Sequence, residues 1–145
     1  MIDESRINIY DFLYNVFYGT VTKNVYAARE PQELTKSDVK DGFVVLIVGE
    51  LNDASEFKGE TYGSVRCYVE AYIPPISRGR LDYDKYSSFE NAINDAISTQ
   101  IANSSNNDKY HIQESATLTS DIDGATVADN TFFTFIKSFI VYICS

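Results

Sequence analysis

Basic side chains are scarce in this chain: 12 Lys and Arg stand against 21 Asp and Glu, a net charge of −9. A free-standing nucleic-acid binder carries a basic footprint, so the balance argues against tight DNA or RNA binding. Acidity ordinarily serves solubility, but an acidic wall also repels a phosphate backbone and lets DNA pass without sticking. Histidine is scarcer still. His111 is the only one, so any Ser-His-Asp or Cys-His pair must use it, and neither cysteine sits in a nucleophile elbow. His111 reads as a solvated strand residue. The two cysteines, Cys67 and Cys144, each lie in an apolar strand pattern. They read as free thiols in a reducing compartment, and with no CxxC or Cys/His spacing zinc is not indicated. There is no GxGxxG and no Walker signature, so no phosphate-cradling loop. The longest apolar run, at the C-terminus, is broken by Lys137 and Ser138, short of a membrane span. The start, Met-Ile-Asp-Glu-Ser-Arg, is acidic and lacks a signal-peptide core. A soluble, cytosolic single domain over residues 1–145 is the expectation, with no internal repeat and no low-complexity segment.

What is abundant is aromatic: 11 Tyr and 9 Phe, with no Trp. Tyrosine buries ring area while its hydroxyl stays satisfied, which suits interfaces as well as core edges. The clearest element is a strand over residues 63–74. Val65, Cys67, Val69, Ala71 and Ile73 alternate with Arg66, Tyr68, Glu70 and Tyr72, so one face is core and the other wetter or covered by aromatics. Pro74 and Pro75 stop it, because proline offers no N–H to a ladder.

Upstream, residues 3–18 read as a helix capped by Asp3, with Ile7, Tyr10, Leu13, Tyr14 and Phe17 as its buried stripe and Gly19 as its stop. Ile9 and Val16 fall off that stripe and are expected to face a second layer or a neighbouring chain. Residues 20–28 make a short strand and residues 34–38 a helical turn. Residues 43–48, unbroken Phe-Val-Val-Leu-Ile-Val between two glycines, predict a strand covered on both faces. The charged segment 50–62 is either a long loop or an extension of the two flanking strands into an arm. Downstream, residues 77–84 form a loop and residues 84–102 a helix, capped by Asp84, Ser87 or Ser88. Its core side is Tyr86, Phe89, Ile93, Ala96, Ile97 and Ile101. A polar turn at 103–108 precedes an alternating strand over 110–120. Residues 121–130 read as a turn, sharpest at Asp123-Gly124. Residues 131–144 close the chain as a long strand, apolar on both faces and therefore central or covered by a partner.

Candidate chemistry does not converge. Asp121-Ile-Asp123-Gly124 opens like a calcium loop, but Ala125 and Phe132 occupy the fifth and twelfth positions, where ligands belong. Asp84 and Asp95 lie nearly three helical turns apart, so Asp82, Asp84, Glu90 and Asp95 read as caps and a solvated face. Arg78 and Arg80 flank Gly79 in a loop that is solvated or meets an acidic neighbour. No cofactor and no metal are expected.

The expected fold is α+β: an antiparallel or mixed sheet of four to five strands, two main helices packed on one face, and long hairpin loops. That order of elements resembles the tail-terminator and tail-completion proteins of double-stranded DNA phages and related neck ring proteins. The matching stretches are Ile7 to Phe17, Phe43 to Val48 with Val65 to Ile73, Phe89 to Ile101, and Tyr110 to Cys144. The tyrosine-rich, Asn/Asp-rich style is also similar to virion proteins of Bacteroides-type crAss-like phages. The resemblance implies a non-enzymatic structural protein of the virion, assembled in the host cytoplasm. It implies copies arranged head-to-tail in a ring that joins portal, connector or neck proteins to the tail, with DNA passing nearby without specific binding and no membrane partner. Tyr68, Tyr72, Arg78, Arg80, Phe132 and Phe133 are the candidate subunit contacts. Glu50, Asp53, Glu56, Glu60, Asp121, Asp123 and Asp129 are the candidate acidic residues of the lumen. Two rival classes differ in what they require. A monomeric acidic binding module or inhibitor that mimics DNA needs its carboxylates aligned on one face. A small enzyme of cone-like α+β fold needs a pocket between helix and sheet, lined by His111 or buried carboxylates.

Overall fold

The computed structural model describes residues 6–53, 62–104, 108–112 and 116–144. In chain order the elements are α1 (Arg6–Phe17), β1 (Val25–Ala27), α2 (Lys36–Asp41), β2 (Phe43–Asp53), β3 (Tyr62–Ile73), α3 (Tyr83–Asn103), β4 (Tyr110–Ile112), β5 (Thr117–Val127) and β6 (Asn130–Cys144). The expected α+β class holds, with more strands than expected. One mixed six-stranded sheet runs β1-β2-β3-β6-β4, and β5 pairs with β6 further along the same edge as β4. Only β1 and β2 are parallel.

The strand read at residues 63–74 is β3. It lies between β2 and β6 and pairs with β6 over its whole length, from Tyr62 opposite Cys144 to Ile73 opposite Phe133. Val65, Cys67, Val69, Ala71 and Ile73 are all fully buried, as their alternation requires. They meet Phe89, Ile93, Ala96 and Ile97 of α3 and Ile9, Leu13, Val16 and Phe17 of α1 in one core. Each large apolar side chain buried there stabilises the fold by roughly 1.5–3 kcal/mol. Both main helices therefore cover the same sheet face. β2 is buried on both faces: Val44, Leu46 and Val48 join the helix side, Phe43 and Val45 the other. A bulge at Gly49 and Glu50 slips the register, so that Leu51 stands opposite Val65. Pairing continues to Asp53 opposite Gly63, which takes up part of the predicted 50–62 connection as a strand extension.

Three expectations are corrected. On α1 the buried residues are Ile9, Leu13, Val16 and Phe17, whereas Ile7 and Tyr14 are exposed. Two apolar stripes share this helix, and composition alone does not say which one meets the sheet. The cap of α3 is Asp82, whose carboxylate accepts from the Lys85 N–H at 3.1 Å, two residues ahead of Asp84, the nearest predicted cap. The turn placed at Asp123-Gly124 is strand instead: Asp123 stands opposite Thr134 and Gly124 opposite Phe133. The long partner β6 offers free ladder groups there, and β5 meets them through two register shifts, an accommodation typical of edge strands. The chain reverses five residues later, at Ala128 and Asp129. Both have positive φ (47° and 67°), the signature of a two-residue type I′ hairpin turn between Val127 and Asn130. Gly19 ends α1 with φ +76°, in the role expected of it.

Candidate subunit interface

The loop between β3 and α3 builds the first surface. After Pro74-Pro75 the chain makes a 3-10 turn at Ser77–Gly79, closed by a hydrogen bond of 2.8 Å from Ile76 N–H to the Arg80 carbonyl. Arg78 and Gly79 both take positive φ, which is how so short a segment reverses. The turn sets Ile76 and Arg80 side by side and delivers Leu81 to the start of α3. Across from them stand Ile122 of β5 and Phe133 of β6. With the exposed Tyr83 these residues line an open, mostly apolar groove of about 610 Å³ at one end of the sheet. Arg78 and Arg80 are exposed and form no ion pair among the described residues.

The second surface is the sheet face away from the helices. Directly paired residues share a face, so Ile47, Tyr68 and Ser138 form one row, Glu70 and Ile136 stand together, and Arg66 lies beside Ile140. Ile47, Tyr68, Ile136, Ile140 and Tyr142 are half-buried and Arg66 is exposed. Arg66 Nη1 reaches the Ser138 hydroxyl at 3.5 Å. The other half of this face is closed. Phe43 stacks on Tyr72 with ring centres 4.4 Å apart and planes within 9°, and Phe132 meets Phe43 edge-on at 5.3 Å. Tyr26, Leu34, Val127 and Ala125 pack against these rings.

The predicted contacts therefore divide. Tyr68 lies on the open half-face. Arg80 and Phe133 line the groove, with Arg78 in its turn. Tyr72 and Phe132 are buried inside the chain and cannot meet a neighbour. Period-two alternation places them on the outer face, but Tyr26 and Leu34 pack over that half and β5 extends it with Ala125 and Val127. The Tyr72 hydroxyl donates to Glu70. Its acidity is suppressed first by burial, then by the Glu70 and Glu30 carboxylates. Sequence reasoning missed Ile76, Leu81, Tyr83 and Ile122. The available signal was two isolated apolar residues, Ile76 and Leu81, bracketing an Arg-Gly-Arg turn.

Among the described residues the acidic candidates do not form one patch. Glu50 is exposed at the β2 bulge, and Asp53 ends β2 opposite Gly63. Asp121 and Asp123 belong to β5, and Asp129 occupies the hairpin turn. Glu56 and Glu60 lie outside the described residues. Glu50 lies level with Arg66 and Asp53 with Gly63, whereas Asp123 is level with Tyr72 through Thr134, so the two groups stand about 20–30 Å apart along the strands. Asp123 Oδ1 accepts from the Gly124 N–H at 2.8 Å, a local turn-like contact. Among the described residues no three His, Cys, Asp or Glu side chains gather as metal ligands, and no helix is long and apolar enough to cross a membrane. His111 is half-buried on β4, with Nε2 2.6 Å from the Asp108 carbonyl oxygen.

Two buried polar groups escaped the sequence reading. Lys137 is only 6% exposed beneath α3, with Nζ 2.9 Å from Asn94 Oδ1 and 3.8 Å from Glu90. Asp38 is fully buried. Its Oδ2 accepts from the Tyr26 hydroxyl at 2.6 Å and closes a capping box with Thr35 at the start of α2. Burial foremost, then Asp38, pushes the Tyr26 phenol up to about 12.

No family model matches this chain, and no curated protein matches it.

Proposed function

We propose that this chain is a structural protein of a phage neck or tail, working as a homo-oligomeric ring that joins portal or connector to tail around the DNA channel. The observation that carries the reading is the order of elements. An N-terminal helix, a long β2–β3 hairpin, a mid-chain helix after a strand that ends in a loop, and a C-terminal hairpin follow one another as in the tail-terminator and tail-completion proteins it resembles. Two further features support it. The groove and the open half-face are different apolar surfaces on one chain, and different surfaces that meet head-to-tail generate rings when the rotation closes. The acidic ends suit a lumen from which DNA must slide freely. Because those groups lie toward opposite ends of β3, both line one channel only if the strands run along its axis.

An acidic decoy that mimics DNA requires carboxylates in one array. Here Asp41, Asp82 and Asp84 border one depression, Asp95 another, and Glu50 and Asp123 opposite ends of the sheet. Native mass spectrometry, alone and with neighbouring neck and tail proteins, tests the ring. Discrete oligomers in either condition are expected. A strict monomer in both overturns the proposal.

A further inference from the structure

We infer that one copy of the chain seats the outer face of its α1 in the end groove of the next copy. The outer face of α1 is a stripe of its own: Ile7, Asp11, Tyr14 and Tyr18 follow at spacings of four, three and four, diametrically opposite the buried Ile9, Leu13 and Val16. Ile7 is 67% exposed, Tyr14 41% and Tyr18 43%. The two tyrosine rings stack with centres 5.0 Å apart and planes within 20°. The helix thus offers a rigid aromatic pair where a solvated face ordinarily carries polar residues. A pair ordered before contact loses little conformational entropy on binding.

The groove matches that stripe in shape and chemistry. Ile76, Leu81, Tyr83, Ile122 and Phe133 make an apolar trough, and Arg80 stands at its rim beside Arg78. An amphipathic helix laid in an apolar groove is read by anchors at this kind of spacing. The charges are complementary. Asp11 lies exposed among the apolar anchors without an ion pair among the described residues, and neither arginine has one. In a chain with 21 acidic against 12 basic side chains, arginines that no carboxylate among the described residues engages are open to one from a neighbour. The chain's own α1 cannot be the occupant. It is pinned to the sheet by Leu13 and Phe17 in the core and by the Val48 N–H donating to the Tyr10 hydroxyl at 3.2 Å, and no α1 residue lines the groove. A second copy supplies the stripe. Since stripe and groove are different surfaces, the contact is heterologous. The inference rests on the ring reading for the fact that copies associate, and on these two surfaces for how.

The test uses the full chain under whichever condition, alone or with neck and tail proteins, yields oligomers. Asp11→Arg and Arg80→Glu should each weaken assembly about tenfold or more, and the double variant should recover most of the loss, as paired charge reversals across a contact do. A second experiment separates head from tail. Tyr14→Lys spoils only the stripe and Ile122→Lys only the groove. Each variant, checked for native circular dichroism, should be monomeric by sedimentation, and their mixture should form dimers and nothing larger. If the wild type assembles while all four single variants assemble equally well, this contact is overturned and the ring survives. If either spoiled variant dimerises by itself, the contact is isologous and the inference fails. A wild type that stays single in every condition overturns both readings.

Discussion

Cys67 shows how far one residue's chemistry follows from its position. It sits at the centre of β3 with no exposed surface, and burial pushes its thiol up to about 12 from an ordinary 9.0. The folded chain thus holds the neutral thiol while the unfolded chain ionises it. The stability this contributes is complete below pH 9 and disappears as pH rises toward about 12. Tyr26 and Tyr72, shifted in the same direction, add to the loss above their own ordinary value of 10.0. Urea melts of wild type and Cys67→Ala across pH 7–11 should show the variant's stability falling less between pH 9 and 10. A thiol reagent at pH 8 should leave Cys67 unmodified until the chain unfolds. Lys137 is the second case. Its stem fills space under α3 while its amine satisfies Asn94 and faces Glu90. Lys137→Ala removes both and should cost about 3 kcal/mol, whereas Lys137→Met keeps the packing and should cost about 1 kcal/mol, since Glu90 retains access to water. Chemical denaturation of the two variants decides this, and equal losses would mean that packing contributes nothing at the site.

At the scale of elements, α1 and the β5–β6 hairpin carry the main lessons. α1 has apolar residues nearly all round, and periodicity found one stripe where two exist. Which stripe is inner depends on the sheet beneath it, because Ile9, Leu13 and Phe17 meet Val44, Leu46 and Phe139 rather than solvent. In the hairpin, Asp-Gly was a sound local turn signal that lost to long-range pairing. The actual turn uses Ala128, a residue with no liking for positive φ. Ala128→Asn with Asp129→Gly supplies the residues that a type I′ turn prefers, and should stabilise the chain by about 1 kcal/mol, a melting shift of about 3 °C. No gain in a thermal melt would show that the turn is not of that type. The bulge at Gly49 belongs here too. A Cβ at Gly49 would come within 2.8 Å of the Arg66 carbonyl oxygen, so the slip in β2 needs a residue without one.

For the whole molecule, what matters is that its unsatisfied surfaces differ from one another. The end groove, the outer stripe of α1 and the open half of the far sheet face are unlike patches, as the proposed ring requires and a two-fold dimer does not. The sheet edges agree with this. One is the three-residue β1, the other the bulged β5 with β4, and both are poor templates for uncontrolled strand addition. Assembly is thus steered toward side-chain surfaces. Under the proposed ring, the separation of the acidic groups along β3 adds a geometric demand, that the strands run along the channel. Electron microscopy of an assembled ring would show it directly.

Much of this was settled by the sequence alone. The alternation in residues 63–73 and the double-sided apolar runs at 43–48 and 131–144 determine three strands, the last two apolar on both faces, and leave their order in the sheet to the tertiary structure. The three-and-four spacing from Tyr86 to Ile101 determines a helix on the inner face. Those patterns are local, and local periodicity follows directly from backbone geometry. Only the tertiary structure decided that Tyr72 and Phe132 are core, that Ile7 and Tyr14 face outward, and that Ile76, Leu81, Tyr83, Ile122 and Phe133 come together. Each of these depends on which segment folds over which face, and that is set by contacts between residues as far apart as Phe43 and Phe132. A pattern within one element can state that two faces are apolar. It takes the packing of the whole chain to leave one of them uncovered.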